Sequence, residues 1–344
     1  MSERWAPPAV TVVTGAAGWL GRALVHRLLA EGRTNLRVLV HSNDDRALIP
    51  HGDAIAVEVG DIGDRSVVDR LFDGVGADAD VIHTAGLIHP KRVTDLFHVN
   101  VTGTRNVAAA ASAAKVRRVV HVSSNSPFGT NSHATDVFRQ DEPYHPYYGY
   151  GRSKMEGEQL VFAAVAAGDI DATVVRPPWF YGPFQPPRQT TFFRMVRQGK
   201  FPIIGGGQQR RSMVYVENLV DGILAAELTP AAKGKGYWIA DERPYVVTEI
   251  VETVGRALRD EGFSVKDGGM KLPSIAGRVA EIGDKLIQRT GRYQQQLHVL
   301  GEMDKTIACD ISASKTDLGY EPKIALYEGM RLSIQWCKAQ GLEL

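Results

Sequence analysis

The chain has 344 residues, enough to bury a substantial core in one large α/β domain, or in one domain plus a lobe of roughly 100 residues. It is 44% hydrophobic and 23% charged with a formal net charge of +1, so no global field draws it to nucleic acid or to an anionic membrane. Cys309 and Cys337 stand far apart in no metal-type or redox-type pair, which argues against a disulfide framework and fits the cytoplasm, and no apolar run approaches a membrane span.

From residue 9 to about 176, short β-branched runs (AVTVVT, LRVLVH, IAVEVG, DVIHTA, RRVVHVSS, ATVVRP) read as strands. Between them LGRALVHRLLAEG, RSVVDRLFDG, VTGTRNVAAAASAAK and SKMEGEQLVFAAVAAG have helical spacing. Strands alternating with helices imply an α/β fold with a doubly wound parallel Rossmann sheet. We therefore expect residues 1–176 to be mainly a dinucleotide-binding domain. Residues 177–344 should be mainly a smaller α+β substrate lobe, with segments returning to the sheet. RPPWFYGPFQPP cannot continue a helix and reads as the loop between them. The amphipathic stretch from Ala276 to Arg289 carries both signs of charge and is expected to cover the substrate pocket rather than lie on a membrane.

TGAAGWLG, Thr14 to Gly21, follows the first strand and opens the first helix. Gly15 allows the tight turn, Gly18 the approach of backbone to a pyrophosphate, and Gly21 close packing of the helix. Ala17, Trp19 and Leu20 complete the loop, and the free N–H groups of the helix start face the phosphates. The second strand ends in His41, Ser42 and Asn43, with Arg46 beyond and no carboxylate at the usual ribose position, so NADP is favoured over NAD. Asp61 is placed to meet the adenine, with Ile62 contributing backbone, whereas Asp64 reads as a helix cap. Thr84, Ala85 and Gly86 end the fourth strand with small residues that let the cofactor approach.

PYYGYGRSK offers three tyrosines, of which only Tyr150 has a lysine, Lys154, four residues on and on the same helical face. An ammonium near a phenol lowers its pKa and suits proton exchange with a substrate oxygen. VVHVSSNSPFG brings the Ser123 and Ser124 hydroxyls to the same sheet edge. His83, His89 and His121 lack metal-ligand spacing, and no metal is expected.

On TGAAGWLG, GDIGD, VIHTAG, HVNVTGTRNV, VSSNSPFG, YGRSK, RPPWFYGP and RRSMVYVENLVDGILAAE, the chain resembles the extended short-chain dehydrogenase/reductase family. Within that family it looks most like the 3β-hydroxysteroid dehydrogenase and sterol dehydrogenase branch. The resemblance implies that Tyr150 exchanges the proton, that Lys154 tunes it and binds the nicotinamide ribose, and that Ser124 holds the substrate oxygen. It also implies that Asn100 lies near the ribose or the active-site water, that Pro177 and Pro178 lie beside the nicotinamide, and that helices bearing the YxxxK motif pair in a homodimer.

Two departures bear on the reaction. Asn125 and Ser126 stand where the family's dehydratases carry an acidic pair, which disfavours water elimination. Trp179 replaces the asparagine that binds nucleotide sugars, which points to an apolar substrate, with Ile88, Phe128, Asn125 and Tyr147 as further candidate contacts. Arg211 argues the other way, since it resembles the arginine that grips a diphosphate. The expected activity is interconversion of a secondary alcohol and a ketone on a largely apolar molecule, steroid-like or hydroxy-acid/polyketide-like. The alternatives are a nucleotide-sugar epimerase that retains NAD and a non-catalytic nucleotide sensor.

Overall fold

A computed structural model describes residues 3–344. Six strands rise from the β-branched runs: β1 (Val10–Thr14), β2 (Leu36–Val40), β3 (Ile55–Val59), β4 (Ala79–His83), β5 (Arg118–Val122) and β6 (Ala172–Arg176). Between them lie α1 (Trp19–Ala30), α2 (Asn43–Arg46), α3 (Arg65–Leu71), α4 (Val93–Phe97), α5 (Thr104–Ala114) and α6 (Tyr148–Ala166). A wide π turn, His98–Gly103, joins α4 to α5.

The chain then enters the lobe with β7 (Trp179–Tyr181), α7 (Pro187–Arg197), β8 (Pro202–Ile204), β9 (Arg210–Arg211) and β10 (Met213–Tyr215). It returns to the sheet with α8 (Val216–Leu228) and β11 (Gly236–Trp238). The remainder comprises β12 (Tyr245–Val246), α9 (Val247–Asp260), β13 (Met270–Leu272), α10 (Ile275–Arg289), α11 (Gln295–Glu302), α12 (Ser312–Leu318) and α13 (Leu326–Ala339).

The seven-stranded sheet runs β11-β6-β5-β4-β1-β2-β3, with every pairing parallel. Its strands alternate their buried residues between two covering layers. Val13, Ile82, Val120 and Val175 pack with α1 and α8, while Val12, Val81, Val119 and Val174 pack with α3, α5 and α6. A third apolar cluster, including Phe192, Tyr215, Ile250, Val254, Met330 and Ile334, holds the lobe together. Residues 177–344 are therefore not a separable block, because β11 pairs with β6 and α8 covers the sheet.

Asp241 fastens the lobe to this sheet edge. It accepts hydrogen bonds from the Tyr181 hydroxyl at 2.8 Å, the Tyr215 N–H at 3.1 Å and the Asn218 amide at 3.3 Å. The strand order reverses between β4 and β1, so a crevice opens at their carboxyl ends, where α/β sheets bind ligands.

Candidate active site

Gly15, at φ +69°, turns the chain out of β1, and a Cβ there would sit 2.6 Å from the Ala85 backbone. A Cβ on Gly21 would overlap the Gly15 carbonyl oxygen, so this glycine seats α1 on its own entry loop. Gly18 is the N-cap of α1 and supplies no side-chain cap, which leaves first-turn amides for an anionic ligand. A cradle that any side chain would fill, under an uncapped helix start, fits the pyrophosphate of a nicotinamide dinucleotide. Such a cofactor supplies the hydride exchange when bound.

Around the switch point the Thr84 hydroxyl donates to the Thr14 carbonyl at 2.7 Å and the Ala85 N–H to the Thr14 hydroxyl at 3.3 Å. The Asn100 amide is committed to protein: its oxygen accepts the Leu87 N–H at 2.8 Å, and its nitrogen donates to the Leu87 carbonyl at 3.0 Å and the Ser153 hydroxyl at 2.9 Å. Asn100 therefore shapes the Gly86–Leu87 loop instead of presenting free polar atoms. Asp61 is similarly engaged, with one oxygen accepting the Gly63 N–H at 2.7 Å and the other 2.9 Å from His98 Nε2. The Ile62 carbonyl accepts the Asn106 amide at 3.0 Å. Asp64 caps α3 through the Ser66 N–H. His41 is exposed, and the Ser42 hydroxyl accepts the Asp45 N–H at 3.2 Å, capping the short α2.

Helix α6 presents Tyr150, Lys154 and Glu158 at successive turns. The Lys154 ammonium is buried and donates to the Val122 carbonyl at 2.8 Å. Burial lowers its pKa to about 8, against the opposing pull of Glu158. Glu158 is itself paired with Arg176 at 2.9 Å. Burial also raises the Tyr150 pKa, and the groups opposing that rise are the Ser124 hydroxyl and the Arg188 guanidinium. This differs from the expectation that Lys154 lowers it, since the lysine is directed at the Val122 carbonyl. Beneath the lysine, His83 is pushed down to about 3 by burial and by Lys154, and it lies between the Thr14 and Thr104 hydroxyls.

Ser123, Ser124, Asn125 and Tyr150 stand on the wall of a cavity of about 730 Å³, with Pro177 and Pro178 at their side. Ile88, Trp179 and Arg211 also line it. Two expectations fail. Phe128 is buried in the core between Trp238 and Tyr144, at ring distances of 5.0 and 5.2 Å, because the turn Ser126–Phe128 points it into the sheet layer. Tyr147 precedes α6 and lies under α11, its ring 5.4 Å from His298, and is not among the residues that line the cavity.

The structure adds residues that the sequence did not disclose. Arg188, in the first turn of α7, lines the cavity close to Tyr150 and Tyr293. His298 on α11 lines it too, with Nδ1 2.8 Å from Asp284 on α10 and Nε2 3.7 Å from Glu302. Burial opposes charge on His298, but these carboxylates outweigh it and raise its pKa. Arg211 donates to the Glu302 carbonyl, and Glu302 and Asp304 lie close to it. A second anion as dense as a diphosphate would meet those carboxylates.

Residues 11–240 match the NAD dependent epimerase/dehydratase family. A protein of Sinorhizobium fredii, "Uncharacterized protein y4nL", is 47% identical over 96% of both chains. A 4-hydroxy-2-methyl-3-oxo-4-farnesyl-3,4-dihydroquinoline-1-oxide ketoreductase of Stigmatella aurantiaca is 28% identical over 93% of this chain and 94% of its own. The 3beta-hydroxysteroid-dehydrogenase/decarboxylase isoform 1 of Arabidopsis thaliana is 28% identical over 97% and 79%. Among solved structures, the dTDP-glucose 4,6-dehydratase DesIV of Streptomyces venezuelae, with NAD and TYD bound, superposes with a TM-score of 0.76 at 22% identity, covering 97% of this chain and 99% of that one. The glycine cradle, the Ser124–Tyr150–Lys154 site and the match over both strand-helix halves place the chain in the NAD-dependent epimerase/dehydratase family.

Proposed function

We propose that the protein interconverts a secondary alcohol and a ketone on a largely apolar small molecule, using NADP(H) or NAD(H), with NADP(H) preferred. The observation that carries this reading is that Ser124 and Tyr150 share a cavity whose other walls include Trp179, Phe180, Phe192, Phe201, Ile250 and Val251. Ser124 holds the substrate oxygen by donating its hydroxyl hydrogen, and Tyr150 gives that oxygen a proton in reduction or takes it in oxidation. Lys154 holds the ribose and keeps positive charge beneath the site. Asn125 and Ser126 supply no acid-base pair for eliminating water. Arg188, beside Tyr150, suits a substrate that carries a carboxylate or comparable polar group near the reacting carbon, which favours the hydroxy-acid class.

A screen of hydroxy and keto compounds against both nicotinamides tests the proposal. Tyr150→Phe should bind cofactor as the wild type does and lose turnover of the substrate found. Unchanged turnover in that variant would sink the mechanism. Stoichiometric, non-exchanging NAD(H) with no net nicotinamide turnover would instead identify an epimerase.

A further inference from the structure

Helix α10 is amphipathic in the reverse sense for a helix lying on a protein. Its inner face is Gly277, Ala280 and Asp284, all buried, whereas Ile275, Val279, Ile282 and Leu286 are 63%, 63%, 56% and 56% exposed. Their spacing of four, three and four residues makes one continuous stripe. The helix is not loosely attached: Asp284 meets His298 on α11 at 2.8 Å, and the Tyr148 hydroxyl donates to the Glu281 carbonyl at 3.3 Å. Its outward stripe is therefore fixed in that orientation. Val299 on α11, the helix packed against α10, is also exposed, at 41%, and lines the catalytic cavity.

The charges beside the stripe select its occupant. Arg278, Lys285 and Arg289 are exposed on one flank. No carboxylate of α10 is exposed with them, because Glu281 is half-buried with the Lys305 ammonium 3.3 Å away and Asp284 is buried. A second copy of this helix would bring more cations and no counter-charge. An anionic lipid headgroup layer supplies both what the stripe and what the flank lack, acyl chain and negative charge.

We propose that α10 docks the protein on the surface of anionic phospholipid membranes, lying in the interface plane with Ile275, Val279, Ile282 and Leu286 below the headgroups. No helix among the described residues is long and apolar enough to cross a membrane, so the contact is peripheral. Docking places the cavity, through Val299, next to the bilayer, where an apolar substrate is concentrated. This goes beyond the catalytic proposal and stands independently of it.

The test is co-sedimentation of the full chain with phosphatidylcholine vesicles, with and without phosphatidylglycerol. Wild type should pellet with the phosphatidylglycerol vesicles only. The triple variants Arg278→Glu/Lys285→Glu/Arg289→Glu and Val279→Ser/Ile282→Ser/Leu286→Ser should each partition about 100-fold less. A single Ile282→Trp variant, whose side chain needs no core space, should show blue-shifted emission with those vesicles. Absence of pelleting, pelleting insensitive to both triple variants, or unshifted emission overturns the proposal. A dimer that the serine variant dissociates, with no vesicle binding by wild type, overturns it in favour of self-association.

Discussion

The Lys154 ammonium donates to the carbonyl of Val122, two residues before Ser124, at 2.8 Å. The helix that carries Tyr150 and the strand that leads into Ser124 are thereby pinned to one another. Burial has brought this ammonium down to about 8. Below that pH it is charged, and above it the charge is lost. Activity should therefore fall above about pH 8, by about tenfold per unit, in a kcat/KM profile. Because the folded value lies below the unfolded one of 10.5, burying this charge costs stability at neutral pH. That cost fades between about pH 8 and 10.5.

Ser124 is buried and within reach of the Tyr150 phenol, so its hydroxyl opposes the rise that burial imposes on Tyr150. Ser124→Ala should reduce kcat by about 10²–10⁴-fold while leaving the cofactor Kd unchanged, as measured by stopped-flow turnover and fluorescence titration. A change in Kd of the same size as that in kcat would show that the serine shapes the cofactor site instead.

Arg188→Met should raise KM for substrates that carry a carboxylate by about 10- to 100-fold, the worth of a charge-assisted hydrogen bond. Neutral ester analogues should be handled as by wild type. Equal losses for acid and ester would mean that Arg188 contributes packing alone.

Gly21→Ala would drive a methyl group into the Gly15 carbonyl and the Ala16 backbone. Since neither atom belongs to a flexible side chain, the cofactor loop must move. Affinity for both nicotinamides should drop at least about tenfold, with a far smaller effect on overall secondary structure by circular dichroism.

Asp241 is a buried carboxyl raised to about 6 by desolvation, against the pull of Tyr181, Tyr215, Asn218 and Tyr245. Asp241→Ala leaves at least three donors without their acceptor and should destabilise the fold by about 3 kcal/mol in urea denaturation.

The parts of this architecture that are local in sequence were legible. The six β-branched runs became β1 to β6, the glycine loop became the turn into α1, and Tyr150 found Lys154 by helical register. The parts that depend on long-range packing were not. Whether Phe128 faces core or cavity is decided by Trp238, which arrives 110 residues later on β11. Tyr147 is covered by α11, and the Asp284–His298 pair joins two helices whose relation no periodicity encodes. Arg188 directly follows the proline-rich stretch that reads as loop, whose last residue, Pro187, begins α7. The reversed face of α10 was invisible for the same reason: the amphipathic pattern shows which residues share a side, but not which side the protein covers.

The position of β11 has a consequence for how the chain folds. Its partner strand β6 ends at Arg176, and β11 begins only at Gly236, after β7 to β10 and α8. Until then β6 is an open edge with unpaired amide groups, and Arg176 has no Trp238 ring beside it. Sheet completion is thus a late, non-local event that waits on the lobe, and the two halves should melt in one cooperative transition. A chain cut after Arg176 would present that raw edge to its neighbours and assemble with them in place of folding alone.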